Sequence, residues 1–377
     1  MDFPHTFRAR LATRLAFFAA GFAMGCCAPF FPFIKENVSA DKSEFGLLLL
    51  CLGIGAIIAM PITGIVSARR GSKPMILLGG FLMAFLIPIL VVVETQSILA
   101  IIIFLLGASL GTLDVAMNVH AVEVEKIENR SLMSNFHAQF SIGGLIGAGL
   151  MTVFLFFGFS ILISSFVSAS ITFIAMTLTV KRLLNVSTVE KTKFMLPKGV
   201  VILLAIFAAI IFLIEGAVVD WGALLIIDRE LTTPESAGIG YILFSVAMVI
   251  ARLLGDEIVK AIGEFKVLIF GVIITILGIL IIVLSNITII TLSGFMFIGL
   301  GVANLVPIFF SAAGRQSVMP PAIAIASVTT TGYAGILLGP VIIGYVAEVT
   351  SLSIGFSILI PLIVLILIFT RKISQTK

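Results

Sequence analysis

The sequence is poor in charged residues and in cysteine. Only 11% of its 377 residues are Asp, Glu, Lys or Arg, whereas 60% are hydrophobic; ordinary soluble domains have about 25% charged residues. A soluble globule could not bury so many apolar side chains, and those left on its surface would face water. The composition therefore predicts an integral membrane protein, in which lipid surrounds these side chains. The three cysteines, Cys26, Cys27 and Cys51, lie inside apolar stretches. That placement excludes a disulfide framework and favours a packing role.

Motifs of enzymes and of nucleotide-driven pumps are also missing. The sequence contains no HExxH pair of metal ligands, no Walker sequence and no glycine-rich nucleotide loop ahead of a strand. We therefore expect no enzymatic activity, no cofactor and no metal site. The net charge of +4 requires no nucleic acid as a partner, because the basic residues fall where membrane insertion places them.

Apolar runs long enough to cross a bilayer recur along the whole chain. A helix needs roughly 20 residues, at about 1.5 Å each, to span a hydrocarbon core of about 30 Å. The sequence therefore predicts an all-α integral membrane protein with twelve transmembrane helices. The first run continues past Phe33 without a small-residue cleavage site, so we interpret it as a retained helix and not as a signal peptide. The predicted spans cover residues 13–34, 45–67, 75–93, 97–122, 134–157, 159–180, 199–225, 235–255, 265–285, 288–311, 321–347 and 352–370.

Lys and Arg are distributed unequally between the loops. When the loops are assigned alternately to the two sides of the membrane, all but three of the 23 Lys and Arg residues fall on one side. The exceptions are Lys35, Lys42 and Arg229. Because an excess of basic residues marks the cytoplasmic side, the sequence predicts a multi-pass protein of the bacterial inner (plasma) membrane with both termini in the cytoplasm.

The two halves of the chain repeat each other. The longest polar stretch, Lys181 to Lys198, predicts an N-terminal six-helix bundle at 1–180, a cytoplasmic linker at 181–198 and a C-terminal six-helix bundle at 199–377. Parallel repeats of six spans are the symmetry of the major facilitator architecture, in which substrate binds near the membrane midplane between the halves. Residues matched at a shift of about 190 are Gly64 with Gly255, Gly111 with Gly301, Asp114 with Asn304, Gly143 with Gly335, and Gly147 with Gly339.

A basic loop lies between the second and third predicted spans. The stretch Gly64–Lys73 (GIVSARRGSK) resembles a loop motif of the major facilitator superfamily, Gly-x-x-x-Asp-Arg-x-Gly-Arg-Lys/Arg. Ala68 stands where the family has aspartate, and Ser72 where it has a basic residue, whereas the second-half copy keeps its acid as Asp256. In the family this loop forms a charged latch, so the resemblance implies a weakened latch in the first half. The implied latch residues are Gly64, Arg69, Arg70, Gly71, Arg252, Gly255 and Asp256.

Four further segments resemble one branch of that superfamily. Together they are similar to the YbjJ-like branch, a bacterial group near the fucose permeases. The resemblance covers nearly the whole chain and implies the major facilitator fold, with two six-helix pseudo-repeat bundles, but it names no substrate. The segments are Leu113–Asn118 (LDVAMN), Met133–Ser141 (MSNFHAQFS), Glu215–Trp221 (EGAVVDW) and Asn304–Arg315 around Pro307.

Asp114 is an acid inside the fourth predicted span, where an ionised carboxylate costs some kilocalories per mole. Gly107, Gly111 and Asn118 share its helix face, and a small polar face suits a cavity better than lipid. Fucose permease has an acidic residue in a similar setting that is linked to proton coupling. The resemblance therefore implies that Asp114 is the proton-titrating group. The alternative is a structural hydrogen bond from Asp114 to Asn118 or to the fifth span.

Glu215 and His137 are the other predicted proton-coupling residues. Glu215 lies about midway along the seventh span and could bind a coupling proton or a substrate. His137, at the start of the fifth span, could carry protons or bond a carboxylate. Its expected partner is Asp114, because the fourth and fifth spans are antiparallel neighbours. We assign His120 to the edge of a loop.

Uncharged and aromatic residues complete the set of ligand candidates, since a few placed polar groups orient a small polar ligand. Trp221, the only tryptophan, could stack on a sugar-like or aromatic substrate, or it could be an interfacial anchor. The threonines could instead bond their own backbone. The predicted substrate-binding residues are Asn118, Gln139, Asp220, Trp221, Asn304, Thr331 and Tyr333.

These features favour a monomeric secondary transporter that moves a small polar, sugar-like metabolite by alternating access, coupled to protons. Its expected partners are the small-molecule substrate, protons and the lipid bilayer. Two alternatives stay open. One is a proton-driven exporter of amphipathic compounds, which a cavity rich in Phe and Met would favour. The other is a membrane receptor that kept the fold and lost transport.

Overall fold

The computed structural model describes residues 3–40, 42–184, 195–232 and 238–374, and the regular elements in these ranges are helices. Predictions for residues 1–2, 41, 185–194, 233–237 and 375–377, including most of the expected linker, lie outside the described residues. The helices are α1 (Phe3–Cys27), α2 (Phe31–Asn37), α3 (Lys42–Arg70), α4 (Lys73–Val92), α5 (Gln96–Glu128), α6 (Met133–Phe156), α7 (Ile161–Thr179), α8 (Val200–Asp228), α9 (Ile239–Leu284), α10 (Thr288–Val302), α11 (Leu305–Arg315), α12 (Pro321–Val349), α13 (Leu352–Ser357) and α14 (Leu359–Ser374).

Eleven helical stretches of the described chain are long and apolar enough to cross a membrane. One of them, α9, has 46 residues because it consists of two helices that follow each other across a kink. It contains both the eighth and the ninth predicted spans. Gly263 divides it with φ 80° and ψ 154°, a conformation that favours glycine. The described helices therefore confirm the predicted all-α membrane fold.

The described residues pack as two compact units. The described residues of unit 1 lie within Met1–Arg130, Phe136–Leu196 and Pro320–Thr330, and those of unit 2 within Ser131–Asn135, Pro197–Met319 and Thr331–Lys377. The first turn of α6 thus belongs to unit 2, and the start of α12 to unit 1. The division of the sequence at 181–198 stays a prediction.

Glycines bring the backbones of unit 1 into direct contact. A Cβ on Gly25 of α1 would lie 2.8 Å from the Cα of Gly144 on α6, and one on Gly107 of α5 would lie 2.7 Å from the Cα of Leu52 on α3. Helices in lipid associate mainly through such close van der Waals packing, because lipid tails are as apolar as the side chains. Small residues at these crossings therefore hold the unit together.

Two glycines of α6 provide a matched test of this packing. A Cβ on Gly143 would lie 2.8 Å from the backbone nitrogen of Phe22, whereas Gly149 has no atom within 4 Å of the same position. Overpacking costs about 1–3 kcal/mol, so Gly143→Ala should lower the melting temperature of the purified protein, measured in detergent. Gly149→Ala should leave it unchanged or raise it slightly. Equal effects of the two substitutions would contradict the packing argument.

Candidate functional site

Asp114, Asn118 and His137 form a hydrogen-bonded chain in unit 1. Asn118 is fully buried on α5, and its Nδ2 donates to the Oδ1 of Asp114 at 3.1 Å and to the Asp114 backbone carbonyl at 2.9 Å. Its Oδ1 lies 3.2 Å from Nε2 of His137 on α6. A carboxylate only accepts, so the amide nitrogen faces Asp114, and the amide oxygen must accept from His137. His137 therefore has its proton on Nε2 in this arrangement.

Asn118 connects the two titratable groups. The sequence predicted Asp114 as the partner of His137, and the hydrogen bonds join these residues through the amide between them. Asp114 and His137 are both half-buried, and the ring of Phe17 on α1 lies 5.3 Å from that of His137. The alternative expected from the sequence, a hydrogen bond between Asp114 and Asn118, is also present.

Glu215 on α8 and Arg252 on α9 form a buried ion pair in unit 2. The Nη2 of Arg252 lies 3.4 Å from the Oε1 of Glu215, and the two side chains are 7% and 20% exposed. The Nε of Arg252 also donates to the carbonyl of Ala303 at 3.1 Å. Arg252, expected in a latch, is thus the counter-ion of Glu215.

Pro307 explains why the Ala303 carbonyl can accept this bond. In a regular helix that carbonyl would accept from the N–H four residues later, but proline has none, and its ring clashes with the same carbonyl. The helix is interrupted at residues 303–304, between α10 and α11. Sequence reasoning missed the role of Ala303, although the position of Pro307 was the signal for it.

Asn304 lies at the same interruption. Its Nδ2 donates to the carbonyl of Ala251 at 3.0 Å, so two consecutive residues of the interruption bond to two consecutive residues of α9. Its Oδ1 is buried without a hydrogen-bond partner among the described residues. That oxygen packs against Gly255, where any Cβ would collide with it.

Asp256 caps the N-terminus of α6. Its two carboxylate oxygens accept from the backbone N–H groups of Ser134 and Asn135, each at 3.1 Å. The first N–H groups of a helix have no partner within it and give its N-terminus partial positive charge, so a carboxylate satisfies both requirements. Gly255 lets α9 approach, since a Cβ there would lie 2.7 Å from the Cβ of Ser134.

The first-half copy of this loop differs. Gly71 ends α3 with φ 82°, and its N–H donates to the carbonyl of Ser67 at 2.9 Å, a left-handed cap that needs glycine. Gly64 packs against the start of α12, where a Cβ would lie 3.1 Å from the carbonyl oxygen of Ala322. Ala68 is buried and has no carboxylate with which to cap that helix. Arg69 and Arg70 are exposed.

Three of the predicted ligand residues lie on the membrane-spanning α6 and α8. Gln139 is half-buried on α6, about 200° around the helix from His137. Asp220 is exposed on α8. Trp221 is half-buried against Gly344, and its Nε1 is buried without a partner among the described residues.

Thr331 and Tyr333, the last two predicted ligand residues, lie half-buried on α12. The ring of Tyr333 meets that of Phe212 edge-on, with 6.2 Å between the centroids. The neighbouring Thr330 donates to the carbonyl of Ala326 at 2.7 Å. This bond is the backbone role that the sequence offered as the alternative for threonine.

His120 is not at a loop edge, and that expectation was wrong. It is fully buried, because α5 continues through Glu128. Its Nε2 accepts from the backbone N–H of Leu184 at 2.9 Å, and its Nδ1 lies 2.9 Å from the hydroxyl of Thr13. The imidazole therefore fastens the segment after α7 to α5 and α1.

Comparison with known proteins identifies the family. The model of the Major Facilitator Superfamily matches residues 14–321. An uncharacterized MFS-type transporter of Yersinia pestis is 39% identical over 368 residues, which are 97% of this chain and 96% of that protein. The chain therefore belongs to the major facilitator superfamily: it is a multi-pass membrane transporter and not an enzyme.

Solved structures agree on the fold. The fucose:proton symporter FucP of E. coli superposes with a TM-score of 0.81 at 15% identity, covering 99% of this chain and 100% of that one. The human organic anion transporter TETRAN gives 0.82 at 13% identity, covering 97% of this chain and 99% of that one. At these identities the likeness concerns the fold. The YbjJ-like branch stays a prediction.

The protein should lose more stability when one partner of the Glu215–Arg252 pair is removed than when both are removed. Arg252→Met leaves Glu215 as a buried charge without its cation, and breaking such a pair costs about 3–5 kcal/mol. The double variant Glu215→Met/Arg252→Met loses the same bond to Ala303 but leaves no buried charge. We expect the melting temperature to fall more for Arg252→Met than for the double variant. The reverse order would show that the pair does not behave as a desolvated ion pair.

Removal of the Asp256 carboxylate should loosen the start of α6. Loss of a side-chain cap costs about 1 kcal/mol, so Asp256→Ala should speed hydrogen exchange at the amides of Ser134 and Asn135. The neighbouring exposed acid Glu257 provides the control, and Glu257→Ala should leave both amides as protected as in the wild type. Unchanged exchange in Asp256→Ala would refute the capping role.

Proposed function

We propose that this transporter moves a small polar, sugar-like metabolite by alternating access and couples that movement to protons. The observation that carries the proposal is the hydrogen-bonded chain Asp114–Asn118–His137, which lies along membrane-spanning helices. An ionisable side chain inside the membrane costs free energy, and in most membrane proteins it marks an ion or substrate pathway.

Protonation of Asp114 changes which hydrogen bonds can form between Asp114, Asn118 and His137. As a carboxylate Asp114 only accepts, whereas the protonated acid also donates. Asn118, which now donates to Asp114 and accepts from His137, offers both roles and can rearrange when the proton arrives. The two protonation states therefore favour different arrangements of α5 against α6. A differential interaction of this kind is what coupling of a bound proton to a conformational change requires.

Asp114 suits the coupling proton better than Glu215. Glu215 has the permanent cation of Arg252 at 3.4 Å, so a proton on Glu215 would leave a buried guanidinium without its partner, which is costly. Asp114 accepts from the Asn118 amide, which also bonds to the titratable ring of His137. We assign Glu215 and Arg252 to holding α8 against α9 and to offering the exposed part of Glu215 to a substrate hydroxyl.

The uncharged polar groups of α8 and α12 support the proposal that the substrate is small and polar. The Nε1 of Trp221 is a buried donor without a partner among the described residues, and Tyr333 and Thr331 offer hydroxyls on α12. An aromatic face with nearby hydrogen-bonding groups is suited to a sugar-like ring. The fold likeness to a fucose:proton symporter supports the same substrate class. The proposal includes a monomer in the bacterial inner membrane with cytoplasmic termini.

Uptake into proteoliposomes tests the role of Asp114. Candidate metabolites are first selected by their stabilisation of the purified wild type at acidic pH, since a binder raises the melting temperature by mass action. For the selected solute, Asp114→Asn should abolish accumulation driven by a proton gradient but preserve exchange of labelled for unlabelled solute. The exposed acid Glu257, which belongs to none of the predicted sites, provides the control, and Glu257→Gln should keep proton-driven accumulation.

Two results would overturn parts of this proposal. If Asp114→Asn accumulates solute in response to a proton gradient as the wild type does, Asp114 is not the coupling site. If amphipathic compounds stabilise the protein and polar metabolites do not, the exporter alternative replaces solute import.

A further inference from the structure

A groove with a volume of about 680 Å³ runs along the surface of unit 1 between α4 and α7. Its lining includes the small residues Ala84 of α4 and Ala169 of α7. Its lining is apolar apart from the hydroxyl of Ser170. Aromatic rings form most of its walls: Phe81, Phe85, Phe166 and Phe173.

The groove has the length of one leaflet of a bilayer. Along α4 its lining runs from Phe81, whose ring centroid lies 5.0 Å from that of Phe173 on α7, to Val92 at the other end, with Leu162 on α7. From Phe81 to Val92 the helix rises about 16 Å at 1.5 Å per residue. Half of a hydrocarbon core of about 30 Å is about 15 Å. The groove therefore extends from the membrane surface to about the bilayer centre.

The ends of the two helices place the mouth of the groove at the polar boundary. Val92 is the last residue of α4, and the chain continues with Glu94 and Thr95. Ile161 begins α7, directly after the polar N-cap Ser160. A headgroup at this level would lie beside polar residues while its chain entered an apolar groove.

The groove is continuous with surface that lipid must cover. Phe85 is 67% exposed, Phe166 56% and Ile174 58%, although all three lie on membrane-spanning helices. Exposed apolar side chains in such helices face hydrocarbon. We propose that the groove is a binding site for one acyl chain of a membrane lipid, held in the leaflet where α4 ends and α7 begins.

A lipid chain should bind more tightly in the groove than on an ordinary lipid-facing surface. A chain on a smooth helix surface touches protein on one side, whereas a chain in the groove touches side chains of both α4 and α7, including phenylalanine rings from each helix. Dispersion attraction is small for each atom pair but adds up over many contacts. A lipid in the groove should therefore leave the protein more slowly than its neighbours. The groove includes none of the proposed proton or substrate residues, so the inference is independent of the transport proposal.

A single tryptophan in the groove can report on this lipid. Trp221 is the only tryptophan, so Trp221→Phe gives a silent background. Phe85→Trp then places the reporter in the groove wall. Ile101→Trp is the matched comparator, because Ile101 is 58% exposed and lies near the start of α5, on the same side of the membrane as the end of α4. Both full-length reporters are reconstituted in vesicles of phosphatidylcholine with brominated chains, which quench tryptophan on contact, and are then washed into lipid-free detergent.

We expect both reporters to be quenched in vesicles and only the groove reporter to stay quenched after washing. Residual quenching should be at least about two-fold greater for Phe85→Trp than for Ile101→Trp, since the tighter site keeps its ligand on dilution. Adding Phe166→Ala removes one wall without overpacking and should reduce the residual quenching to that of the comparator.

Other results would overturn the proposal. Equal loss of quenching from both reporters would make the groove ordinary lipid-facing surface. A groove reporter that brominated lipid never quenches, even in vesicles, would mean that a second copy of the chain covers it. Residual quenching unaffected by Phe166→Ala would place the retained lipid elsewhere on the protein.

Discussion

Polar groups inside these helices depend on partners supplied by the protein, because hydrocarbon offers no hydrogen bonds in place of water. The hydrogen bonds of Asn118 and Arg252 follow from this constraint. Asn118 is buried between an acid and an imidazole and bonds to both. The Ala303 carbonyl, deprived of its helical partner by Pro307, accepts from Arg252, and Arg252 in turn neutralises Glu215. In the loop after the eighth predicted span, the Asp256 carboxylate accepts from the N–H groups at the start of α6, which have no partner within that helix.

The two halves of the repeat satisfy this constraint in different ways. Asp114 and Asn304 occupy matched positions, yet one is an acid bonded to a neighbouring amide and the other is an amide bonded to the backbone of α9. Likewise, Asp256 caps α6, whereas Ala68, which stands where the family's loop motif has aspartate, cannot cap α12. The repeat thus keeps the glycines that allow close helix contact and varies the charged groups. This difference is consistent with one half carrying the proton and the other holding an ion pair, as proposed.

Long apolar runs allowed the spans to be predicted, because a membrane helix bonds its own backbone and needs only length and hydrophobicity. The break that the sequence predicted between the eighth and ninth spans, at residues 256–264, contains the non-helical residue Gly263, at which the two helices of α9 meet. Asp114, Asn118 and His137 were selected from their positions within spans. Their connection through the Asn118 amide depends on how α5 packs against α6. His120 was misplaced because it lies near charged residues in the sequence, while burial depends on the neighbours that α1 and the segment after α7 provide.

The sequence by itself determined that this protein is helical, lies in a membrane and contains acids inside its spans. These properties depend on the length and hydrophobicity of each stretch of the chain and not on its neighbours in space. Only the tertiary structure decided which groups meet: Arg252 with Glu215, Asp256 with the start of α6, and the rings of α4 with those of α7 around an apolar groove. Such pairs are separated by tens of residues or more, and helix crossings bring them together. Two helices cross closely where a glycine of one lets the two backbones touch. The position of such a contact depends on the residues of both helices, so neither segment alone predicts it.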